Sequence, residues 1–265
     1  MTCMQFTRES VIEKLHQIKE KGWIPSGRSR SNVGAVGNTL EDLFGIKENN
    51  LPLANAGPWE LKAQRGDTPS LTTLFHSEPQ PRDAKIVPKV LLPLYGWPHE
   101  EAGKKYPRTE MSFRSTTPGN RFTERGFKID VDRTEKRVKL SFNASKVDMR
   151  KHSEWLSSVQ QRVGLRQINP QPYWEFDDIG RKVETKIKNA FYVLAECRRE
   201  DKKEYFCYNE AWMLEHADFN KFLNEIENGA ILVDFDARTG HNHGTKFRMH
   251  QGVHVKIYAH SKKIM

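Results

Sequence analysis

The sequence predicts an α/β fold. Three observations carry that expectation: an amphipathic helix near the start, several runs that alternate apolar and polar residues, and a fully apolar strand late in the chain. The 265 residues are enough to bury a substantial core, as one large domain or two fused lobes. Hydrophobic residues make up 37% and charged residues 29%, a polar composition that still lies above the disordered range.

The elements follow in order. A helix over 9–21 sets Val11, Leu15 and Ile18 on one face with Ile12 beside them, and turns Glu13, Lys14, Lys19 and Glu20 to water. Thr7 is its expected N-cap and Gly22 its stop. Segment 25–37, rich in Ser, Gly and Arg, reads as a basic loop. A short helix over 38–44 then points Leu40, Leu43 and Phe44 inward, with Glu41 near its middle. Residues 59–62 alternate as a half-buried strand, and 71–76 form a second strand or strand end. The long stretch 96–125, with its Pro, Gly, Thr and Arg, is expected to be a surface excursion that faces DNA. Runs 127–132 and 137–142 make a hairpin. After a proline-rich connection at 169–173, a helix over 179–188 leads into the buried strand 190–196. Further strands are expected at 204–208, 231–236, 245–249 and 253–259.

Several classes fall away. Apolar stretches such as 191–195 and 90–94 are far too short for a membrane span, and the first residues lack a secretory h-region. Three scattered cysteines (Cys3, Cys197 and Cys207) make neither a disulfide framework nor a metal knuckle. A soluble, intracellular protein is expected. The 43 Lys and Arg against 34 Asp and Glu leave a net charge of +9, which favours a polyanionic partner, nucleic acid first.

The chemistry concentrates around 59–62. Glu60 and Lys62 are two apart on one strand, so they share a face. A carboxylate beside an ammonium, with a further acid from a preceding turn, suits metal-assisted phosphodiester hydrolysis: the carboxylate holds Mg²⁺, and the lysine orients water and offsets developing charge. By itself a Glu-x-Lys pair is more often a solvated strand face.

The surrounding residues narrow this. The run Asn38-Thr-Leu-Glu41-Asp-Leu-Phe-Gly-Ile-Lys-Glu-Asn-Asn50, then Glu60-Leu-Lys62 and Leu71-Thr-Thr-Leu-Phe-His76, resembles the MvaI/BcnI family of restriction endonucleases. These are cousins of the mismatch-repair nicking enzyme MutH within the PD-(D/E)xK nuclease fold. Segments 13–22, 127–132, 228–234 and 241–248 extend the resemblance over most of the chain in the right order. It implies a restriction-endonuclease-like mixed β-sheet flanked by helices, with two lobes enclosing a DNA cleft. Within one domain spanning 1–265, the catalytic lobe would be built around 9–90 and the recognition lobe drawn from the middle and C-terminal segments.

Carried over by resemblance, Glu60 is a metal ligand, Lys62 the catalytic lysine and Glu41 a supporting glutamate. The family also has an aspartate five residues before Glu60, bridging metal and scissile phosphate; here that position is Asn55. An amide is nearly isosteric with a carboxylate but neutral, so metal affinity and cleavage should fall while DNA affinity survives. An inactivating substitution, a natural loss that leaves a DNA-binding relic, and a replacement carboxylate such as Asp42 or Glu48 are three open explanations.

By the same resemblance His76 approaches the central base pair, and His241, His243, Lys246 and Arg248 belong to a recognition surface, where Arg248 could pair with guanine O6 and N7. An HxH pair invites a zinc reading for His241 and His243, which the lack of a third ligand at standard spacing argues against. Arg28 and Arg30 in the basic loop, with Arg108, Arg114, Arg121 and Arg125 in the long excursion, are candidates for phosphate or groove contacts. Trp155, Trp174 and Trp212 read as packing residues, and Asp130 and Asp132 as solvated hairpin acids.

The function so implied is Mg²⁺-dependent, type II cleavage of double-stranded DNA at a short CCNGG-type site. The implied protein acts as a monomer in the prokaryotic cytoplasm, nucleoid-associated through its DNA, with a cognate DNA methyltransferase as its genetic partner. A silent sequence-specific DNA-binding protein and a MutH-like nicking enzyme are the alternatives.

Overall fold

The computed structural model describes residues 6–27, 34–46, 56–66, 71–201, 203–215, 218–249 and 262–265, without the side chains of Asn242 and His243. The chain divides into two compact units. One comprises Met1–Ser70, Lys182–Ala217 and His254–Met265; the other comprises Leu71–Arg181 and Asp218–Val253. Residues 71–90, grouped in sequence with the catalytic lobe, fall in the second unit, because the strand Thr72–His76 pairs with His241–Met249 there.

The first unit is built on a mixed sheet. Its path runs Ile24–Pro25, Lys203–Leu214, Ala190–Glu200, Glu60–Arg65, and Lys262–Lys263 adds to the outer side of Lys203–Leu214. All pairings are antiparallel except that between Glu60–Arg65 and Ala190–Glu200. Two helices bury their apolar stripes in the same core. The helix Arg8–Glu20 starts at a capping box in which Thr7 and Ser10 satisfy each other's backbone donors, and it buries Val11, Leu15 and Ile18. The helix Ala35–Phe44 ends where Gly45 takes a left-handed φ of 72° that a side chain would resist. Leu40 and Phe44 meet Trp59, Leu61, Phe191 and Val193 in that core. The expected strand at 253–259 lies outside the described residues.

The second unit holds an antiparallel five-stranded sheet in the order Thr72–His76, His241–Met249, Ile231–Arg238, Met111–Thr117, Trp97–Pro98. A three-stranded sheet, Arg125–Asp132, Arg137–Val147 and Tyr173–Glu175, contains the expected hairpin. Phe113, Phe127, Phe142, Tyr95 and Trp155 form a chain of edge-on and tilted rings at its centre. Here the expected surface excursion over 96–125 is corrected. Its middle is a strand that pairs on both sides, with Phe113 and Thr117 fully buried. Three elements read as nothing in particular are also present: a π-helix at Val87–Tyr95 and the α-helices Met149–Val163 and Phe219–Glu227.

Candidate active site and recognition face

The strand Glu60–Arg65 alternates as its sequence demands. Leu61 and Ala63 join the core, which leaves Glu60 and Lys62 on the other face. The entry to the strand is set by a tight turn in which Ala56 and Trp59 exchange backbone hydrogen bonds across Gly57, whose φ is 64°. Glu60 then donates its N–H to the Asn189 carbonyl, 3.0 Å away, which locks the register against the neighbouring parallel strand. Among the described strands Glu60–Arg65 is an edge, so its flank carries no further strand.

At this edge the Lys62 ammonium donates to Glu60 Oε1 at 3.1 Å. A second ammonium, that of Lys186 from the last turn of the helix Phe176–Lys186, donates to Glu60 Oε2 at 3.2 Å. All three side chains are largely buried, at 10% exposure for Glu60, 13% for Lys62 and 18% for Lys186. Burial pushes the Lys62 ammonium below the ordinary lysine range. Its attraction to Glu60 opposes the shift, Lys186 reinforces it, and Glu41 opposes it from the helix Ala35–Phe44.

The donor chemistry fits a hard divalent ion. Glu60 offers carboxylate oxygen, and such ions are commonly held by one or two carboxylates with water and substrate phosphate completing the shell. Among the described residues no cluster of three His, Cys, Asp or Glu side chains stands ready to chelate a metal, so Glu60 would anchor the ion. Asn55 lies outside the described residues, as do Glu48, Arg28 and Arg30.

A second group assembles on the five-stranded sheet of the other unit. Phe113, Phe235 and Phe247 point inward, so Arg114, Thr116, Asp234, Asp236, Lys246 and Arg248 share the opposite face. Arg114 Nε donates to Asp236 at 2.8 Å, and Asp234 accepts from Thr116 Oγ1 at 2.8 Å and from Arg248 Nη1 at 3.1 Å. Arg248 Nη2 also holds the Leu71 carbonyl at 2.8 Å, while its Nε is buried without a partner. His76 pairs with Lys246 across the strands and is exposed. Three cations against two carboxylates make this a mixed donor and acceptor surface rather than a purely basic one.

The other candidates are dispersed. Arg121 sits in an exposed bend beside Asn120, Arg108 in an exposed turn, and His241 at the end of a hairpin opposite Arg238. Arg125 is half-buried against aromatic rings: its guanidinium lies 4.0 Å from the Trp97 ring centroid and 5.7 Å from that of Trp155, and burial pushes its pKa down. Trp155 and Trp174 are buried, with their indole N–H groups on the Tyr95 and Ser77 carbonyls. Asp130 and Asp132 pair with Lys128 and Lys139. Lys186, Asp234 and Asp236 had no signal of their own in sequence: 126 residues separate Lys186 from Glu60, and charged residues on an alternating strand are ordinary.

The sequence matches the MvaI/BcnI restriction endonuclease family over residues 12–258. The chain belongs to this family. A solved MvaI–cognate DNA substrate complex is similar to it, with 25% identity, a TM-score of 0.77, and 98% of this chain and 100% of that chain covered. MvaI in the absence of DNA shares the fold at 23% identity and a TM-score of 0.53, with both chains covered in full. No curated protein is significantly similar in sequence. In this family member Glu60 and Lys62 lie on the strand Glu60–Arg65. Among the described residues no helix is long and apolar enough to cross a membrane.

Proposed function

We propose that this protein is a type II restriction endonuclease that hydrolyses double-stranded DNA at a short CCNGG-type site with Mg²⁺ as cofactor. The observation that carries the proposal is the buried Glu60–Lys62 pair on an edge strand of a chain that belongs to a restriction endonuclease family. Glu60 would hold the ion together with position 55, and the ion would supply polarisation of the phosphate and a lowered pKa for water. The residues of the chain do the rest. Lys62, oriented by Glu60, hydrogen-bonds the attacking water and faces the charge that develops on the phosphate. Attack is in line and leaves no covalent bond between enzyme and DNA.

The mixed face around Asp234 and Arg248 supports G·C readout. Arginine matches the two acceptors of guanine, and an aspartate accepts from the cytosine amino group. Arg114 and Lys246 add donors on the same face. DNA bound by the MvaI complex named above is consistent with a duplex partner. Further parts of the proposal are that the chain works as a monomer in the cytoplasm and that a DNA methyltransferase protects the same site.

Asn55 favours a second reading, in which the protein binds its site and does not cut. Plasmid cleavage in Mg²⁺, with EDTA controls, separates the two when this chain is compared with Asn55→Asp. Discrete fragments from the variant alone identify Asn55 as the lesion in a nuclease. Cutting by both means that another carboxylate serves the metal. Cutting by neither, with salt-sensitive binding retained, establishes the silent binding protein.

A further inference from the structure

Glu60 carries two ammonium groups rather than one. Lys62 occupies Oε1 at 3.1 Å and Lys186 occupies Oε2 at 3.2 Å, so each oxygen of the carboxylate faces a cation of the chain itself. The three groups sum to one positive charge in a largely buried place. A divalent ion approaching Glu60 meets two like charges at close range and must displace at least one of them from the oxygen it takes. The two lysines differ in freedom. Lys62 lies two residues along the same strand, where the pleat sets it beside Glu60. Lys186 arrives from outside the strand, on a flexible four-carbon stem at a helix end.

We propose that Lys186 is a resident cation that holds the metal's place on Glu60, and that a DNA phosphate draws it off. The phosphate takes the Lys186 ammonium, Glu60 Oε2 is vacated, and the divalent ion loads onto the protein–DNA complex in preference to the free protein. By linkage, the ion then tightens DNA binding by the factor by which DNA tightens the ion. Lys186 is thus a positioning residue for the reaction. The inference rests on the metal-dependent nuclease proposed above and adds to it an order of assembly.

The test uses Mn²⁺ as the probe, followed by calorimetry on the full chain without DNA. Lys186→Gln and Lys186→Met are each expected to bind Mn²⁺ about tenfold more tightly than the unaltered chain, because one nearby positive charge is gone. Lys186→Arg keeps the charge and should not tighten it. In EDTA, the neutral variants should bind a duplex carrying a CCNGG site more weakly, with the salt slope reduced by about 0.9, the share of one phosphate contact. Circular dichroism melts identify any variant that fails to fold, and the two neutral variants stand in for each other. Mn²⁺ binding that is unchanged or weaker in both neutral variants, while Asn55→Asp binds Mn²⁺ well, overturns the role of Lys186 and leaves the nuclease intact. An absence of Mn²⁺ binding in every variant, Asn55→Asp included, overturns the metal-dependent nuclease and this inference with it.

Discussion

At the scale of single residues, the candidate site shows what sequence can and cannot place. Glu60 and Lys62 are legible because a strand's period of two forces residues two apart onto one face, and the structure joins them at 3.1 Å. Lys186 is illegible for the converse reason: only the fold brings it to Glu60. Resemblance proposes Arg248 as a recognition residue, and the structure adds its brace. With Asp234 on one nitrogen and the Leu71 carbonyl on another, its guanidinium is pre-oriented, so in the proposed role it would lose little freedom on meeting a base edge. Arg248→Ala should therefore lower affinity for the cognate duplex by about 1–3 kcal/mol and barely alter affinity for a scrambled duplex. Competition binding with the two duplexes reads the difference. An equal loss on both would make Arg248 a plain phosphate contact.

Among the elements, the hairpin of Ala190–Glu200 and Lys203–Leu214 is the frame of the first unit, and one ion pair ties it to the site strand. Glu204, almost fully buried, accepts both nitrogens of Arg65, at 2.5 and 2.8 Å, and Arg199 approaches at 3.4 Å. The hydrogen bond and charge of Arg65 hold the Glu204 carboxyl below the ordinary glutamate range. A carboxylate whose pKa is depressed by folding stabilises the native state above its unfolded pKa, and that stability is lost as pH falls through the folded value. Glu204→Gln, which removes the negative charge that Arg65 and Arg199 face, should cost about 3 kcal/mol near neutral pH. It should also flatten the stability curve below about pH 4.5, where the unaltered protein loses this contribution. Urea melts across acid pH check both; a variant as acid-sensitive as the parent would remove Glu204 from the account.

Element boundaries were read with uneven success, and the failures have physical causes. The helix Arg8–Glu20 announces itself by aliphatic residues at helical spacing, Val11, Leu15 and Ile18, after a polar N-cap. Met149–Val163 buries only Trp155, Leu156 and Val159, a narrow stripe in an otherwise polar run, and its backbone leaves helical geometry at His152. Phe219–Glu227 is brief, with Asp218 as its cap and Phe222, Leu223 and Ile226 inward. Met111–Thr117 offers few large apolar side chains and stands between turns rich in proline and glycine; its place inside the sheet comes from Ile231–Arg238, more than 100 residues away. Tertiary pairing decided what local composition left open.

Over the whole molecule the net charge of +9 makes DNA affinity depend on salt. Because the face around Asp234 and Arg248 is mixed in sign, the proposed DNA binding would draw most of its phosphate contacts from cations elsewhere in the chain. A log–log slope of affinity against salt of about −4 or steeper is expected, which fluorescence anisotropy between about 50 and 200 mM salt would measure. A flat dependence would mean that the excess charge serves solubility alone.

The parallel neighbours Glu60–Arg65 and Ala190–Glu200 are separated in the chain by residues 71–181, which belong to the other unit. A ribosome makes Glu60 long before it makes the strand that fixes it or the lysine that caps it. Through much of synthesis the carboxylate hangs on a strand without its partner, and long-range pairing of this kind closes late. The Glu60 ion pairs are thus among the late features to form, at a stage when the five-stranded sheet of the other unit still waits for its own final strands at 231–249. A half-made copy carries neither the paired Glu60 strand nor a complete five-stranded sheet.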